Sequence, residues 1–203
     1  MSFQKIKRAF GDILRLGPLI TGAVTSRSRK TNIIMLHFGR CGSTVIGNML
    51  RQNSEIYWDS EVLQYRKERL LPECRLTMKP ESIIRLRMLR GGRRPYALEI
   101  KPLAFMHLSS DQLAMNLNDF FSYLKKLKFN KIIFLERHNY LRQLVSTSIA
   151  IQKSKYERGV RGTRRLDSVS LSLNATVYGQ LSMVELFEEY DRVSKEIVSL
   201  ASN

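Results

Sequence analysis

A turn of small residues with one cation and two hydroxyl side chains stands directly before a predicted helix. Residues 37–44 read HFGRCGST, and the groups suited to an anion belong to Arg40, Gly42, Ser43 and Thr44. Free backbone N–H groups and the helix dipole favour a bound phosphate at such a position. The Walker A spacing is absent, because the cation precedes the last glycine. The turn therefore predicts a phosphate site unlike that of P-loop NTPases, although a glycine turn with a Ser/Thr helix cap explains it equally well.

A second segment places a cation and a hydroxyl group in a comparable setting. Residues 135–146 read LERHNYLRQLVS, so that Arg137 ends a predicted strand and Ser146 follows in the next helix. Strand-end residues lie where α/β folds bind their ligands. Either residue alone is readily explained as a surface side chain. The two segments together are much harder to explain by chance.

Short apolar runs alternate with longer helical patterns, and this alternation determines how the two segments are positioned. The predicted strands are 32–36, 55–58, 96–100 and 131–135, and the predicted helices are 44–51, 80–90, from Ser109 or Ser110 to 128, 140–152 and 177–200. Strands that alternate with helices predict an α/β fold with parallel strands and crossover helices. We expect one domain over residues 31–203, preceded by an amphipathic helix and basic linker over residues 1–30.

On these residues the sequence resembles the sulfotransferases that use 3′-phosphoadenosine 5′-phosphosulfate (PAPS), especially bacterial and Golgi-type carbohydrate sulfotransferases. In that family an Arg- or Lys-containing Gly-Ser/Thr loop holds the 5′-phosphosulfate, and a strand-end arginine with a helical serine binds the 3′-phosphate. The family's intervening apolar-Lys strand is similar to residues 97–101, which end in Lys101. The resemblance covers about residues 31–153. It implies a three-layer, P-loop-like fold with a central, mainly parallel sheet flanked by helices.

The resemblance also implies roles for individual residues. Arg40 would stabilise charge on the departing 5′-phosphate, with Gly42, Ser43 and Thr44 holding that phosphate. Arg137 and Ser146 would bind the 3′-phosphate.

The acceptor hydroxyl needs a group that takes its proton, and the resemblance implies Glu61 as this general base, because a glutamate in a similar Gly/Ser-Glu position lies at the acceptor in carbohydrate sulfotransferases. Asp59 and His107 are the alternatives, although His107 is equally well a core residue and Glu61 an exposed loop residue. Neither His37 nor His138 is expected to do more than position other groups. No metal is expected, since no metal-ligand spacing is present.

Composition limits the class of protein and its surroundings. The chain has 203 residues, 43% of them hydrophobic, and a formal net charge of +16. These values exclude a disordered or collagen-like chain and indicate an anionic partner. Two cysteines and three histidines predict neither a disulfide framework nor structural zinc, so we expect a cytoplasmic protein. The apolar run 13–24 is too short and too interrupted to span a membrane. The basic amphipathic segment before it fits a peripheral membrane helix, an import presequence or a helix packed on the domain.

Other basic runs leave the acceptor and the competing functions open. Five arginines between residues 85 and 94 fit either an acidic saccharide acceptor or a solvated helix face. Many sulfotransferases close over the adenosine with a basic, glycine-bearing C-terminal loop or continue with another strand and helix after the region equivalent to Tyr190, whereas this sequence ends at Asn203. Either the basic loop 153–165 covers the nucleotide instead, or the nucleotide pocket is more open than usual. The alternatives are a nucleic-acid-binding module, a catalytically inactive nucleotide- or glycan-binding homologue and, more weakly, a small-molecule kinase. No recognised nucleic-acid motif is present, which disfavours the first of these. The oligomeric state is not predicted.

Overall fold

The computed structural model describes residues 22, 24–63, 80–109, 113–157 and 181–202. Its strands are β1 (Asn32–His37), β2 (Tyr57–Glu61), β3 (Tyr96–Ile100) and β4 (Phe129–Leu135). Its helices are α1 (Ser43–Gln52), α2 (Pro80–Leu89), α3 (Leu117–Lys126), α4 (Tyr140–Glu157) and α5 (Met183–Ala201). The predictions made for residues 1–21, 64–79 and 158–180 lie outside the described residues.

The four strands form one sheet with parallel pairing throughout and the order β2-β3-β1-β4. Ile34 of β1 lies opposite Leu98 of β3 and Ile132 of β4. β3 is buried along its whole length, and β1 is buried at every position except one. Such continuous apolar runs are typical of parallel strands covered on both faces. The predicted α/β architecture with a parallel sheet flanked by helices is confirmed.

A buried asparagine fixes the amino edge of the sheet. The Asn32 side chain donates to the Leu127 carbonyl at 2.7 Å and accepts from the Tyr96 N–H at 3.1 Å. Because Asn32 is only 1% exposed, these bonds satisfy polar groups that water does not reach. They set the register of β1 against β3, and therefore where both strands end.

The core continues to the opposite, carboxyl edge. Phe38, the first residue after β1, stacks on Tyr190 of α5 with ring centroids 4.9 Å apart. Tyr140, at the start of α4, packs edge-on against the same tyrosine at 5.4 Å. The aromatic cluster holds the exit of β1 and the entry of α4 close together.

Several predicted boundaries are wrong, three of them because of a local hydrogen bond. Helix α3 begins at Leu117 because Asn116 caps it by accepting from the Asp119 N–H, so neither Ser109 nor Ser110 is its cap. Helix α5 begins at Met183 after a capping box formed by Ser182 and Glu185.

Strand β2 is displaced toward the carboxyl end from the predicted 55–58. The Asn53 side chain and carbonyl accept the N–H groups of Glu55 and Ile56, which makes that stretch a turn. Helix α4 also extends to Glu157, past the predicted end at Gln152.

Within the described part of the chain, no helix combines the length and apolarity that a membrane crossing requires.

Candidate anion-binding site at the carboxyl edge of the sheet

The turn between β1 and α1 has a backbone that bends through left-handed conformations. Gly39 and Gly42 have φ values of 89° and 88°, and Arg40 has a φ of 52°. A side chain is disfavoured at the two glycine positions, since only glycine adopts such values without steric cost. The glycines thus let the chain turn sharply from the buried strand into the helix.

The first turn of α1 is open to a ligand. Gly42 is the N-cap, no side chain caps the helix, and no acidic residue lies in its first turn. Gly42 and Thr44 are exposed, and a Cβ added to Gly42 would meet no atom within 4 Å. The N–H groups at this end therefore point to accessible space where the helix dipole favours negative charge.

The structure brings the two sequence segments together. Arg40 Nε donates to Ser146 Oγ at 3.0 Å, across a separation of 106 residues. Arg137 Nη1 donates to the Arg40 carbonyl at 2.9 Å. Two guanidinium groups and a hydroxyl thus lie beside the turn, at adjacent strand ends where parallel α/β sheets bind ligands. We call Arg40, Arg137, Ser146 and the first turn of α1 the anion cluster.

Arg40 and Ser146 contact each other directly, although the resemblance implies the 5′-phosphate for Arg40 and the 3′-phosphate for Ser146. The bond is exposed, so an incoming anion can replace it at little cost.

A side chain without a predicted role holds the turn in place. Gln143 is 1% exposed, and its Nε2 donates to the Gly39 carbonyl at 2.7 Å. The sequence signal for this role is that Gln143 is a polar residue at a helix position that faces the core.

A second group of polar side chains lies at the ends of β1, β2 and β3, and we call it the carboxylate cluster. Its members are His37, Ser60, Glu61, Glu99 and Lys101. Lys101 Nζ lies 2.8 Å from Glu61 Oε1, whereas Glu61 Oε2 is buried and has no hydrogen-bond partner. Ser60 donates its hydroxyl to Glu99 Oε1 at 3.0 Å. The candidate base Glu61 thus has one oxygen held by a cation and one without a partner.

His37 joins the carboxylate cluster to the turn. Its Nε2 lies 3.3 Å from Glu99 Oε2. In the neutral ring Nδ1 accepts the Gly39 N–H at 3.0 Å, and protonation of Nδ1 breaks this bond. Burial lowers the pKa of His37, but hydrogen bonding to Cys41 and Glu99 outweighs it and raises the pKa to about 9. Burial opposes ionisation of Glu99, yet its contacts with His37 and Ser60 lower its pKa overall. His37 thus links the interior of the sheet to the phosphate turn, which fits a positioning role.

The two alternative bases are engaged elsewhere. Asp59 accepts from Arg87 through both carboxylate oxygens and from the Tyr96 hydroxyl at 2.5 Å. His107 Nδ1 accepts the Lys101 N–H at 2.9 Å. Burial, followed by the charge of Lys101, lowers the pKa of His107 to about 4. Neither side chain is disposed to take a proton from a substrate.

The basic run before β3 is only partly available to an acceptor. Arg87 belongs to the buried ion pair with Asp59, and Arg94 lies over the Tyr57 ring at 5.2 Å. Arg90 and Arg93 are exposed. Arg87 therefore has a structural role within this run.

Among the described residues, one group has ligand atoms close enough together to hold a metal ion. These atoms lie within 4.8 Å of one another and belong to His37, Glu61 and Glu99. Two features oppose a metal. Lys101 already supplies positive charge to Glu61. In the neutral ring Nδ1 accepts from Gly39, so the proton lies on Nε2. In the charged ring both nitrogens are protonated, and Nε2 therefore carries a proton in either state. The cluster fits a polar network better than a metal centre.

Comparisons with protein-family models, characterised proteins and solved structures find no match for the chain.

Proposed function

We propose that the protein is a PAPS-dependent sulfotransferase with a three-layer, P-loop-like fold. It transfers a sulfuryl group to a hydroxyl of a carbohydrate or similar acceptor. The observation that carries the proposal is the meeting of Arg40, Arg137 and Ser146 beside an uncapped helix N-terminus. Two anion-binding positions at one sheet edge match a nucleotide with a phosphate at each end of its ribose.

The donor would bind along the anion cluster. The first N–H groups of α1, with Ser43 and Thr44, hold the 5′-phosphosulfate. Arg137 and Ser146 hold the 3′-phosphate, and binding replaces the bond between Arg40 and Ser146 with contacts to the ligand. Charged donors to phosphate oxygens form the stronger class of hydrogen bond.

The reaction is an in-line displacement at sulfur. The acceptor oxygen forms a bond to sulfur, the bond between sulfur and the bridging oxygen breaks, and that oxygen leaves with the electron pair on the 5′-phosphate. Arg40 and the helix N–H groups stabilise this charge. Glu61, which Lys101 Nζ contacts at 2.8 Å, takes the hydroxyl proton.

The test is calorimetric titration with the desulfated product, 3′-phosphoadenosine 5′-phosphate. We expect saturable binding that Arg137→Ala weakens at least about tenfold, since a charged hydrogen bond is worth roughly 1.5–3 kcal/mol. Arg142→Ala is the matched control, because Arg142 is an exposed arginine of α4, the helix that follows Arg137. Absence of binding to the intact protein, or equal weakening by both substitutions, would refute the proposal.

Transfer and binding assays on the same purified protein distinguish the alternative functions. Binding of the product without transfer of radiolabelled sulfate to any acceptor in a saccharide panel would identify an inactive homologue. Steeply salt-dependent binding of DNA or RNA, with no response to the nucleotide, would indicate a nucleic-acid-binding module. Magnesium-dependent binding of ATP would indicate a kinase.

A further inference from the structure

A cavity lined by cations lies at the amino edge of the sheet, at the opposite end of the strands from the anion cluster. Its volume is about 200 Å³. Its polar lining comes from Ser26, Arg29, Asn32, Arg85, Lys126 and Lys128. Four of these side chains are cationic, and no described residue of the lining is acidic. We call it the amino-edge cavity.

Arg29 is the buried member of this lining, with a relative exposure of 4%. Its Nη2 donates to the carbonyls of Met88 and Gly92 at 2.8 and 2.6 Å. Its Nε is buried without a hydrogen-bond partner. Among the described residues no carboxylate forms an ion pair with it. Arg29 is thus a buried cation whose protein acceptors are neutral.

The role of Arg29 at the end of α2 explains only part of this arrangement. Cations commonly bind the last carbonyls of a helix, and the bonds from Nη2 near the end of α2 are of that kind. They leave the charge without a carboxylate counterion, and the guanidinium carbon lies 6.0 Å from the centre of the Tyr96 ring. Burial lowers the pKa of the guanidinium accordingly. A buried charge without a counterion is strongly destabilising, so a bound anion would compensate it.

We propose that the amino-edge cavity binds a phosphate-class oxyanion, with Arg29 at its base and Arg85, Lys126 and Lys128 at its mouth. Drug-sized ligands occupy pockets from about 300 Å³ upward, so this cavity suits one tetrahedral oxyanion rather than a nucleotide. The site does not depend on the proposed sulfotransferase activity, because it shares no residue with the anion cluster. The phosphate is either a free inorganic anion or the headgroup of an anionic lipid.

The exposed residues at the mouth of the cavity, which we call the rim, can be replaced without changing Arg29. Replacing Arg29 would also remove its bonds to the Met88 and Gly92 carbonyls. Arg85→Gln with Lys126→Gln instead removes two exposed charges from the lining. The matched control is Lys125→Gln with Arg90→Gln, which removes the same amount of charge. Both residues are exposed and neither lines the cavity; one lies in α3 and the other directly after α2.

The primary experiment is a nuclear magnetic resonance titration of the full chain with sodium phosphate at constant ionic strength. We expect a saturable shift of the Arg29 Nε–H resonance, distinct from any shift of the Ser43 and Thr44 amides. The rim variant should weaken this binding at least fivefold, and the control variant should leave it unchanged. No saturable change at Arg29, or equal weakening by both variants, would overturn the proposal.

Vesicles then identify the source of the phosphate. The protein is floated with phosphatidylcholine vesicles that contain or lack phosphatidate. Flotation that depends on phosphatidate and is lost in the rim variant, but not in the control, assigns the site to a lipid headgroup. Saturable phosphate binding with no such difference assigns it to a free anion.

Discussion

Replacing His37 with glutamine should make the stability of the protein less dependent on pH. The pKa of His37 is about 9 in the folded protein, against an ordinary value of 6.5. The folded state therefore binds the proton more tightly than the unfolded state. The resulting stabilisation is complete below about pH 6.5 and is lost as the pH rises through 9.

The magnitude follows from that difference in pKa. At about 1.36 kcal/mol for each pKa unit, the protonated ring contributes about 3 kcal/mol at pH 6 and little above pH 9. Glu99, Cys41 and Lys101 face the ring or its partners. Glutamine keeps a polar side chain of similar size at this buried position but does not titrate.

The assay is urea unfolding of both proteins between pH 6 and 9.5, followed by the fluorescence of Trp58, the single tryptophan. The stability difference between wild type and His37→Gln should shrink by about 3 kcal/mol over this range. Glu99→Gln should flatten the same dependence, because it removes the charge that favours protonation. A difference that stays constant would refute the reasoning. It would mean that the Gly39 N–H, bound to Nδ1, keeps the ring neutral throughout.

Three further substitutions test other parts of the structure. Glu61→Gln should abolish sulfate transfer in a radiolabel assay while binding of the desulfated nucleotide persists; undiminished transfer would assign the base elsewhere. Asp59→Asn should destabilise the protein by about 3–5 kcal/mol in urea unfolding, because it leaves the Arg87 charge buried without its partner, and a loss below 1 kcal/mol would contradict this. Asn32→Ala should cost about 2–4 kcal/mol in the same assay, since it leaves two buried backbone groups unsatisfied. An unchanged unfolding midpoint for Asn32→Ala would show that water satisfies both groups.

The sequence predicts the central strands well because burial on both faces produces continuous apolar runs. Strand β3 has the predicted bounds, and β1 extends one residue further, to His37. Boundaries failed where a side chain bonds to the backbone nearby, as Asn53 does before β2 and Asn116 before α3. Such bonds override hydrophobic periodicity over a few residues.

The candidate site was partly visible in the sequence. Arg40, Arg137 and Ser146 could be selected by residue type and by their positions at strand ends. The contact between His37 and Glu99 could not, because it depends on the order in which the strands lie in the sheet. Glu99 is a charged residue inside the apolar run 96–100, and this position indicates that a polar partner faces it.

The bonds from Gln143 and Arg137 to the carbonyls of Gly39 and Arg40 have a thermodynamic consequence for any ligand. They fix the conformation of the turn before an anion arrives, so its conformational entropy is already lost when the protein folds. A ligand then spends none of its interaction free energy on ordering the turn. Association should accordingly proceed without a slow rearrangement of the turn, at a rate set by diffusion and by the positive charge around it.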